Sequence, residues 1–181
     1  MIINGGTGNG YSAKVDNENR LYTKSVTQEL PAHVAAQEGK SYIWSATADL
    51  AADKCLIYLR NDDTALRLVI QKIIISPAAA CQFEIWVGSG SGVTVAGTSV
   101  TGVNTNLQSG NVALATCTHT ETGADAGTGM DNILGTAWAG AGVNAVPLDG
   151  VLVLGYLDEV AVNLITDVGS SSANIMGYYH D

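Results

Sequence analysis

The sequence predicts an all-β domain, and three features support that prediction. The chain of 181 residues holds 21 glycines and only 3 prolines, and the strong helix formers Lys, Arg, Glu and Gln are scarce. From Ser41 onward, short runs rich in β-branched and aromatic residues are separated by turn residues, as in a β-sandwich or barrel. Apolar and polar residues also alternate within several runs. A chain of this length is typical of one domain.

The first 38 residues lack this pattern and are predicted to form an extended N-terminal arm. Residues 2–12 hold four glycines and no periodic apolar face, which argues against an independent helix or a core strand. Residues 13–30 mix single apolar residues with charged ones, as do segments that become ordered against another surface. A short helix is expected over 31–38, ended by the glycine that follows. The β domain is therefore predicted to span 39–181.

Ten strands are predicted after the arm. Each is a run of strand-forming residues bounded by turn residues. They are expected at 41–47, 54–60, 66–76, 81–88, 93–101, 111–119, 133–140, 151–155, 159–166 and 173–179.

Alternation within these runs predicts which faces are buried. Residues 66–71 and 82–87 alternate apolar with polar side chains, so these strands are expected to have one face in solvent. The apolar positions of 160–164 continue the pattern. Residues 56–59 and 73–75 are apolar on both faces, so both of their faces are expected to be covered.

Long surface loops are predicted between Gly88 and Gly142, where Gly, Ser, Thr, Ala and Asn dominate. Residues 106–111 and 148–150 are expected to form hairpin or corner turns. The second of these directly precedes the predicted strand 151–155.

The charged residues divide the chain into two parts. All eight Lys and Arg precede residue 73, where they are balanced by eight acids, whereas the rest of the chain holds nine acids and no Lys or Arg. The net charge of −9 therefore comes from the second part. An acidic body argues against binding nucleic acid or an anionic membrane. It favours a positively charged partner or the mixed-charge N-terminal part of another copy, although solubility alone also explains it.

The cysteines Cys55, Cys81 and Cys117 lie far apart in apolar or alternating runs. An odd number without a C-x-x-C pair predicts buried free thiols. A disulfide between two of them stays open as an alternative.

No catalytic, cofactor-binding or metal-binding residue is predicted, and no cofactor is expected. His119 and Glu121 would share one face of a strand and could bind a metal or act as a base pair, but a surface pair at a strand end is the favoured interpretation. Residues 125–131 lack the ligand pattern of a calcium loop. The glycines of residues 5–10 lack the strand and Lys of a phosphate-binding loop. The sequence also has no Gly-x-Ser-x-Gly nucleophile motif, so a non-enzymatic protein is expected.

The aromatic residues leave a second function open. Three Trp and seven Tyr could stack on sugar rings, as in glycan-binding modules. Packing in the core or at an interface is the alternative explanation.

Several short motifs resemble a layout found in the virion proteins of tailed bacteriophages. They are Ala13-Lys-Val-Asp16, Asn19-Arg-Leu21, the stretch from Gly39 to Trp44 and the strand from Leu56 to Asp62. The likeness covers the first seventy residues and extends to the ending Tyr178-Tyr-His180. It implies a structural β-sandwich protein.

Within that class, the chain is most similar to jelly-roll capsid decoration, or cement, proteins. The resemblance implies a jelly-roll-like antiparallel sandwich that trimerises on the outside of the head and stabilises contacts between major capsid subunits. It therefore implies a virion location after synthesis in the host cytoplasm, with no direct contact with nucleic acid or membrane. The long loops between Gly88 and Gly142 would also suit a tail, fibre or head-fibre component that binds a glycan or receptor. Neither a signal peptide nor a membrane-spanning helix is predicted, because the first residues lack a basic and apolar leader pattern and no run of ~20 apolar residues occurs.

The arm is expected to contact a neighbouring subunit through scattered apolar and charged residues. Apolar side chains of the arm would pack on apolar groups of the neighbour, and its basic side chains would pair with the neighbour's acids. The predicted interface residues are Lys14, Val15, Asp16, Asn19, Arg20, Leu21 and Val26. A polysaccharide hydrolase is a third hypothesis, for which the sequence offers no specific acid pair.

Overall fold

A computed structural model describes most of the chain. The described residues are 3–4, 12–13, 30–50, 54–89, 96–119, 130, 132–166 and 169–180. The chain divides into two compact units, Met1–Leu30 and Pro31–Asp181. In the first unit, strands β1 (Ile3–Asn4) and β2 (Ser12–Ala13) pair antiparallel, with Ile3 opposite Ala13. The boundary predicted at residue 38 stays a prediction.

Strands make up most of the regular structure in the described part of the second unit. A helix, α1 (Leu30–Gln37), precedes them. The strands are β3 (Ser41–Leu50), β4 (Lys54–Asn61), β5 (Arg67–Ser76), β6 (Cys81–Gly88), β7 (Thr98–Ser99), β8 (Val103–Asn104), β9 (Ala115–His119), β10 (Asn132–Ala139), β11 (Asn144–Leu154), β12 (Glu159–Leu164) and β13 (Gly169–His180).

These strands form two antiparallel sheets that pack face to face, which confirms the predicted all-β sandwich. The six-stranded sheet has the order β10-β6-β12-β4-β9-β7, and the five-stranded sheet has the order β11-β5-β13-β3-β8. The chain passes from one sheet to the other at nearly every connection between its long strands. With β7–β9 set aside, the orders β10-β6-β12-β4 and β11-β5-β13-β3 are those of an eight-stranded jelly roll.

The main core lies between the sheets and is built from inward-facing residues of both. Ile57, Leu59 and Val162 of the six-stranded sheet and Ile73 and Ile175 of the five-stranded sheet are fully buried in it. The predicted coverage of residues 56–59 on both faces is confirmed, because Tyr58 is also fully buried. Tyr58 belongs to a second cluster with Cys55, Ala161 and Met130.

The predicted strands agree with the observed ones except around the loops. Strand β9 begins at Ala115 rather than at residue 111, and β11 begins at Asn144, well before the predicted 151. Of the strand predicted over 93–101, residues 96–101 are described, and of these only Thr98–Ser99 are in a strand. Small residues dominate these regions, so their local pattern gives little indication of pairing.

Residues 148–150 do not form the predicted turn, because they lie inside β11. The segments on both sides of them pair with the same strand, since Pro147 lies opposite Lys72 and Leu152 opposite Ile70. The additional residues form an irregularity in the ladder, in which Gly150 has a φ of 77°. A backbone in the left-handed region favours glycine. The sequence therefore correctly indicates a turn-like backbone at Gly150, but this residue lies within one strand and does not connect two strands.

The predicted short helix is confirmed, and it packs on the sandwich. Ala35 of α1 is buried with Val69 and Tyr178 of the five-stranded sheet. Gly39 ends the helix with a φ of 69°. The carbonyl groups at this end accept hydrogen bonds from side-chain amides: Asn106 Nδ2 donates to Gln37 O at 3.1 Å, Asn111 Nδ2 to Glu38 O at 3.1 Å and Asn104 Nδ2 to Gly39 O at 2.7 Å. These bonds satisfy carbonyls that a helix end leaves without partners.

Candidate assembly surfaces

The predicted arm interface lies outside the described residues. This holds for every residue predicted to contribute to it, namely Lys14, Val15, Asp16, Asn19, Arg20, Leu21 and Val26. Their role therefore stays a prediction.

The three cysteines are free and buried, as predicted. Burial raises the pKa of the Cys81 thiol, and burial together with the nearby Cys55 raises that of Cys117. A raised pKa keeps a thiol protonated near neutral pH, whereas a nucleophile or metal ligand needs the thiolate. These side chains therefore act as small apolar groups of the core.

The other candidates for chemistry are only partly described. His119 ends β9 with Nδ1 buried, while Glu121, most of residues 125–131 and the glycines of residues 5–10 lie outside the described part. Within the described ranges, no three His, Cys, Asp or Glu side chains come together as a metal site would require. No described helix is long and apolar enough to cross a membrane.

The first candidate surface is the edge of the sandwich formed by β10 and β11, which we call the β10–β11 edge. Among the described strands, β10 pairs only with β6 and β11 only with β5. Seven of the eight residues of β10 are exposed. Large apolar side chains protrude from both strands and the residues beside them: Ile133, Leu134, Trp138, Val143, Val151, Val153 and Tyr156. Trp138 is 71% exposed and Val151 84%.

The two strands of this edge differ in how they discourage unwanted pairing. Strand β11 carries Pro147 and a large irregularity before Leu152, and both features interrupt a pairing edge. Strand β10 has a one-residue register shift near Leu134 but neither proline nor charge. An uncharged, apolar edge strand of this length is a candidate interaction site.

An open groove of about 140 Å³ lies at one end of this edge. Its lining includes Val87, Asn132 and Leu152–Leu154, together with the acids Asp158 and Glu159. Asp158 Oδ2 accepts a hydrogen bond from the backbone N–H of Gly155 at 2.7 Å. The groove thus adds acidic groups beside an otherwise apolar edge.

The second candidate surface is the 103–114 segment, on the opposite edge of the sandwich. It joins β8, at the far end of the five-stranded sheet from β11, to β9, which lies on the side of β4 away from β10. Four large apolar side chains are exposed on it: Val103, Leu107, Val112 and Leu114. Their exposed fractions are 59%, 87%, 72% and 57%.

Both ends of the 103–114 segment are held in place. At its start, Gly102 lies so close to Trp44 that an added Cβ would come within 2.6 Å of the indole Nε1. At its end, the carbonyl of Leu114 accepts a hydrogen bond from Asp62 N at 3.0 Å, and Thr116 Oγ1 donates to Asp62 Oδ2 at 2.6 Å. With the asparagine bonds to α1, these contacts fix the segment before any partner binds.

The 103–114 segment, strand β10 and the first residues of β11 fall in stretches of sequence that have no charged residue, whereas the second part of β11 contains Asp149. Residues 85–120 and 132–148 contain no Asp, Glu, Lys or Arg, although the whole chain carries a net charge of −9. A search of the sequence for such stretches could have found these surfaces, whereas a search for catalytic motifs could not. Depletion of charge is typical of the buried centre of a protein interface.

Comparison with protein-family models, with curated proteins and with solved structures finds no match to this chain. The arrangement of the described residues therefore carries the functional argument.

Proposed function

We propose that this chain is a non-enzymatic structural protein of a virus particle, of the capsid decoration or cement type. In this role it binds the outside of the head and stabilises contacts between major capsid subunits. The observation that carries the proposal is the exposed, largely apolar β10–β11 edge on a jelly-roll body, an architecture that occurs in viral capsid proteins among others. The resemblance of residues 13–62 to phage virion proteins supplies the virion context.

The proposed partners are further copies of the chain, as a trimer, and the major capsid protein. The exposed apolar side chains support protein partners, because patches of this kind on soluble domains mark interaction sites. The acidic second part of the chain makes nucleic acid and anionic membranes poor partners.

The arm adds a second kind of contact in this proposal. Lys14 and Arg20 would pair with acids of a neighbouring subunit, and Val15, Leu21 and Val26 would supply apolar anchors. Asp158, a half-buried acid in the groove beside the β10–β11 edge, suits such a base. Several arms acting together would multiply weak contacts, since the second contact of a tethered assembly is effectively intramolecular.

Labelling and deletion test this function. An antibody against the chain is expected to label the head surface of tailed-phage particles from the source of the sequence. Deleting residues 2–30 is expected to lower the amount of protein that sediments with heads, as light scattering and co-sedimentation would measure. Absence of the chain from the particles would exclude the virion role, and unchanged head binding after the deletion would exclude the arm contact.

A tail, fibre or head-fibre component that binds a glycan or receptor is the second candidate. The exposed ring of Trp138 favours it, because that ring lies on the outer face of the sheet beside Gln82, its partner in the ladder. A glycan array read with the wild type and with Trp138→Ala distinguishes the two. Specific binding that Trp138→Ala abolishes would favour this second function.

A further inference from the structure

Strands β6 and β10 present a row of polar and aromatic side chains on the outer face of the six-stranded sheet. Phe83 and Ile85 of β6 are buried in the main core, so the residues that alternate with them point outward. Their partners in β10 share that face, because residues opposite each other in an antiparallel ladder point to the same side. These residues form what we call the β6–β10 strip: Gln82, Glu84, Trp86, Ile133, Thr136 and Trp138.

The strip has an aromatic end, a polar middle and an apolar end. Trp138, which is 71% exposed, lies opposite Gln82 at the first end. Thr136 lies opposite Glu84 in the middle, and Ile133, which is 46% exposed, lies at the other end. From residue 82 to residue 86 the strip covers four residue steps, or about 14 Å at ~3.4 Å per residue. It is therefore longer than one sugar ring.

The carboxylate in the middle of the strip is held in position. Trp86 Nε1 donates a hydrogen bond to Glu84 Oε2 at 2.9 Å. The indole of Trp86 is itself fixed, because it packs on the second buried cluster, beside Tyr58. An ionised carboxylate has about four acceptor sites, and this bond occupies one of them. Glu84 is therefore a pre-positioned acceptor for hydroxyl groups of a ligand.

We infer that the β6–β10 strip binds a linear, neutral oligosaccharide. The exposed ring of Trp138 packs on the apolar face of one sugar, while hydroxyl groups at the rim of the sugars bond to Gln82, Glu84 and Thr136. The inference rests on the second function proposed above, for which it names the site and the class of sugar. It does not depend on the capsid role.

The charges of the chain exclude acidic sugars from this site. The strip contains the carboxylate of Glu84, and the sequence has no Lys or Arg after Lys72. A uronic or sialic acid would therefore be repelled without a compensating base. A flat apolar protein surface suits the strip less well than a sugar, because it would cover the amide of Gln82 and the carboxylate of Glu84 without offering hydrogen bonds.

Titration of the full chain with defined sugars tests the inference. The probes are linear oligosaccharides of glucose, galactose, mannose and N-acetylglucosamine, and binding is measured by calorimetry and tryptophan fluorescence. At least one neutral series is expected to bind. Its monosaccharide is expected to bind at least about tenfold more weakly, because a single ring covers only part of the strip, and so is an oligogalacturonate, because of its charge.

Three variants locate the binding on the strip. Trp138→Ala is expected to weaken it by at least about tenfold, because the stacking ring is lost. Glu84→Gln is expected to weaken it by about tenfold, because hydrogen bonds to a charged acceptor are replaced by bonds to a neutral one. Tyr156→Ala is the matched control, since it removes a 53% exposed aromatic ring outside the strip, and it is expected to bind as the wild type does. Circular dichroism shows whether each variant is folded.

The possible failures separate the strip from the wider function. Absence of binding to every neutral oligosaccharide would overturn the inference. Binding that both Trp138→Ala and Glu84→Gln leave unchanged would also overturn it, but a glycan-binding function at another surface would survive. A preference for the oligogalacturonate would contradict the class of sugar named here.

Discussion

Strands β12 and β10 pair with the two sides of the same strand, β6, yet their environments are opposite. Every residue of β12 is buried, whereas seven of the eight residues of β10 are exposed. Both sequences are apolar and uncharged over most of their length. The difference comes from position, because β12 has β4 on its other side and β10 is the edge of the sheet. The same local pattern thus serves the core in one strand and, in our account, a subunit interface in the other.

Truncating one apolar side chain in each strand should give the largest difference. Leu164→Ala in β12 is expected to lower the free energy of unfolding by about 2–5 kcal/mol, because Leu164 is 1% exposed and its removal leaves a cavity. Leu134→Ala in β10, where the side chain is 47% exposed, is expected to change that of the monomer by no more than about 0.5 kcal/mol. Urea denaturation at low protein concentration measures both. Equal losses would remove the contrast between the two strands.

Two glycines offer a second comparison between interior and edge. A Cβ on Gly177, in β13, would lie 2.8 Å from the backbone oxygen of Val69, whereas one on Gly135, in β10, would meet nothing within 4 Å. Gly177→Ala is therefore expected to cost about 1–3 kcal/mol, the range for overpacking. Gly135→Ala is expected to be neutral or to stabilise the monomer by up to about 1 kcal/mol. If the two substitutions shift the melting temperature equally, β10 is packed more tightly than described here.

Two asparagines extend the comparison to hydrogen bonds. Asn61 is fully buried, and its amide donates to the carbonyls of Leu66 and Leu154, both at 3.0 Å. Asn61→Ala removes the donor from the buried carbonyl of Leu154 and the part-buried carbonyl of Leu66, and it is expected to cost about 1–3 kcal/mol. Asn144→Ala is the matched control, because Asn144 bonds to Gly140 and Gly142 in an exposed turn where water can replace it. A larger loss for Asn144→Ala in chemical denaturation would contradict this view.

Alkaline pH is expected to weaken the interior before it affects the edges. Burial is the main cause that raises the pKa of Cys81 and Cys117 above the ordinary thiol value of 9.0. It is also the main cause that raises the pKa of Tyr42 and Tyr179 above the ordinary phenol value of 10.0. Above these ordinary values the unfolded chain loses protons that the folded chain retains, so stability falls as pH rises. The melting temperature should be constant up to about pH 8.5 and fall beyond it. Cys117→Ala should reduce the decrease in melting temperature at alkaline pH. A melting temperature that rises with pH would contradict the role of these buried thiols and phenols.

The sequence was sufficient to predict most of the sandwich. Alternation in 82–87 and the doubly apolar run 56–59 identified strands and their burial, because those features depend on local pattern. Gly39 correctly predicted where α1 ends. The start of β11 was missed, because Asn144–Pro147 is short, small and interrupted by proline, and it is ordered by pairing with β5 rather than by propensity.

The candidate surfaces were less accessible to sequence reasoning. The prediction concentrated on the arm, where bases and apolar anchors are visible along the chain. Trp138 and Leu107 are separated in sequence from the residues with which they share a surface, so their exposure depends on the strand order. The stretches without charge were the available signal, but such stretches are equally compatible with a buried core.

Hydrogen–deuterium exchange of the full chain at two concentrations, one below and one above assembly, tests the central claim most directly. Peptides covering 132–138 are expected to gain protection at the higher concentration, while those covering 159–164 stay equally protected at both. Exchange of 132–138 that is unchanged between the two concentrations would contradict the account.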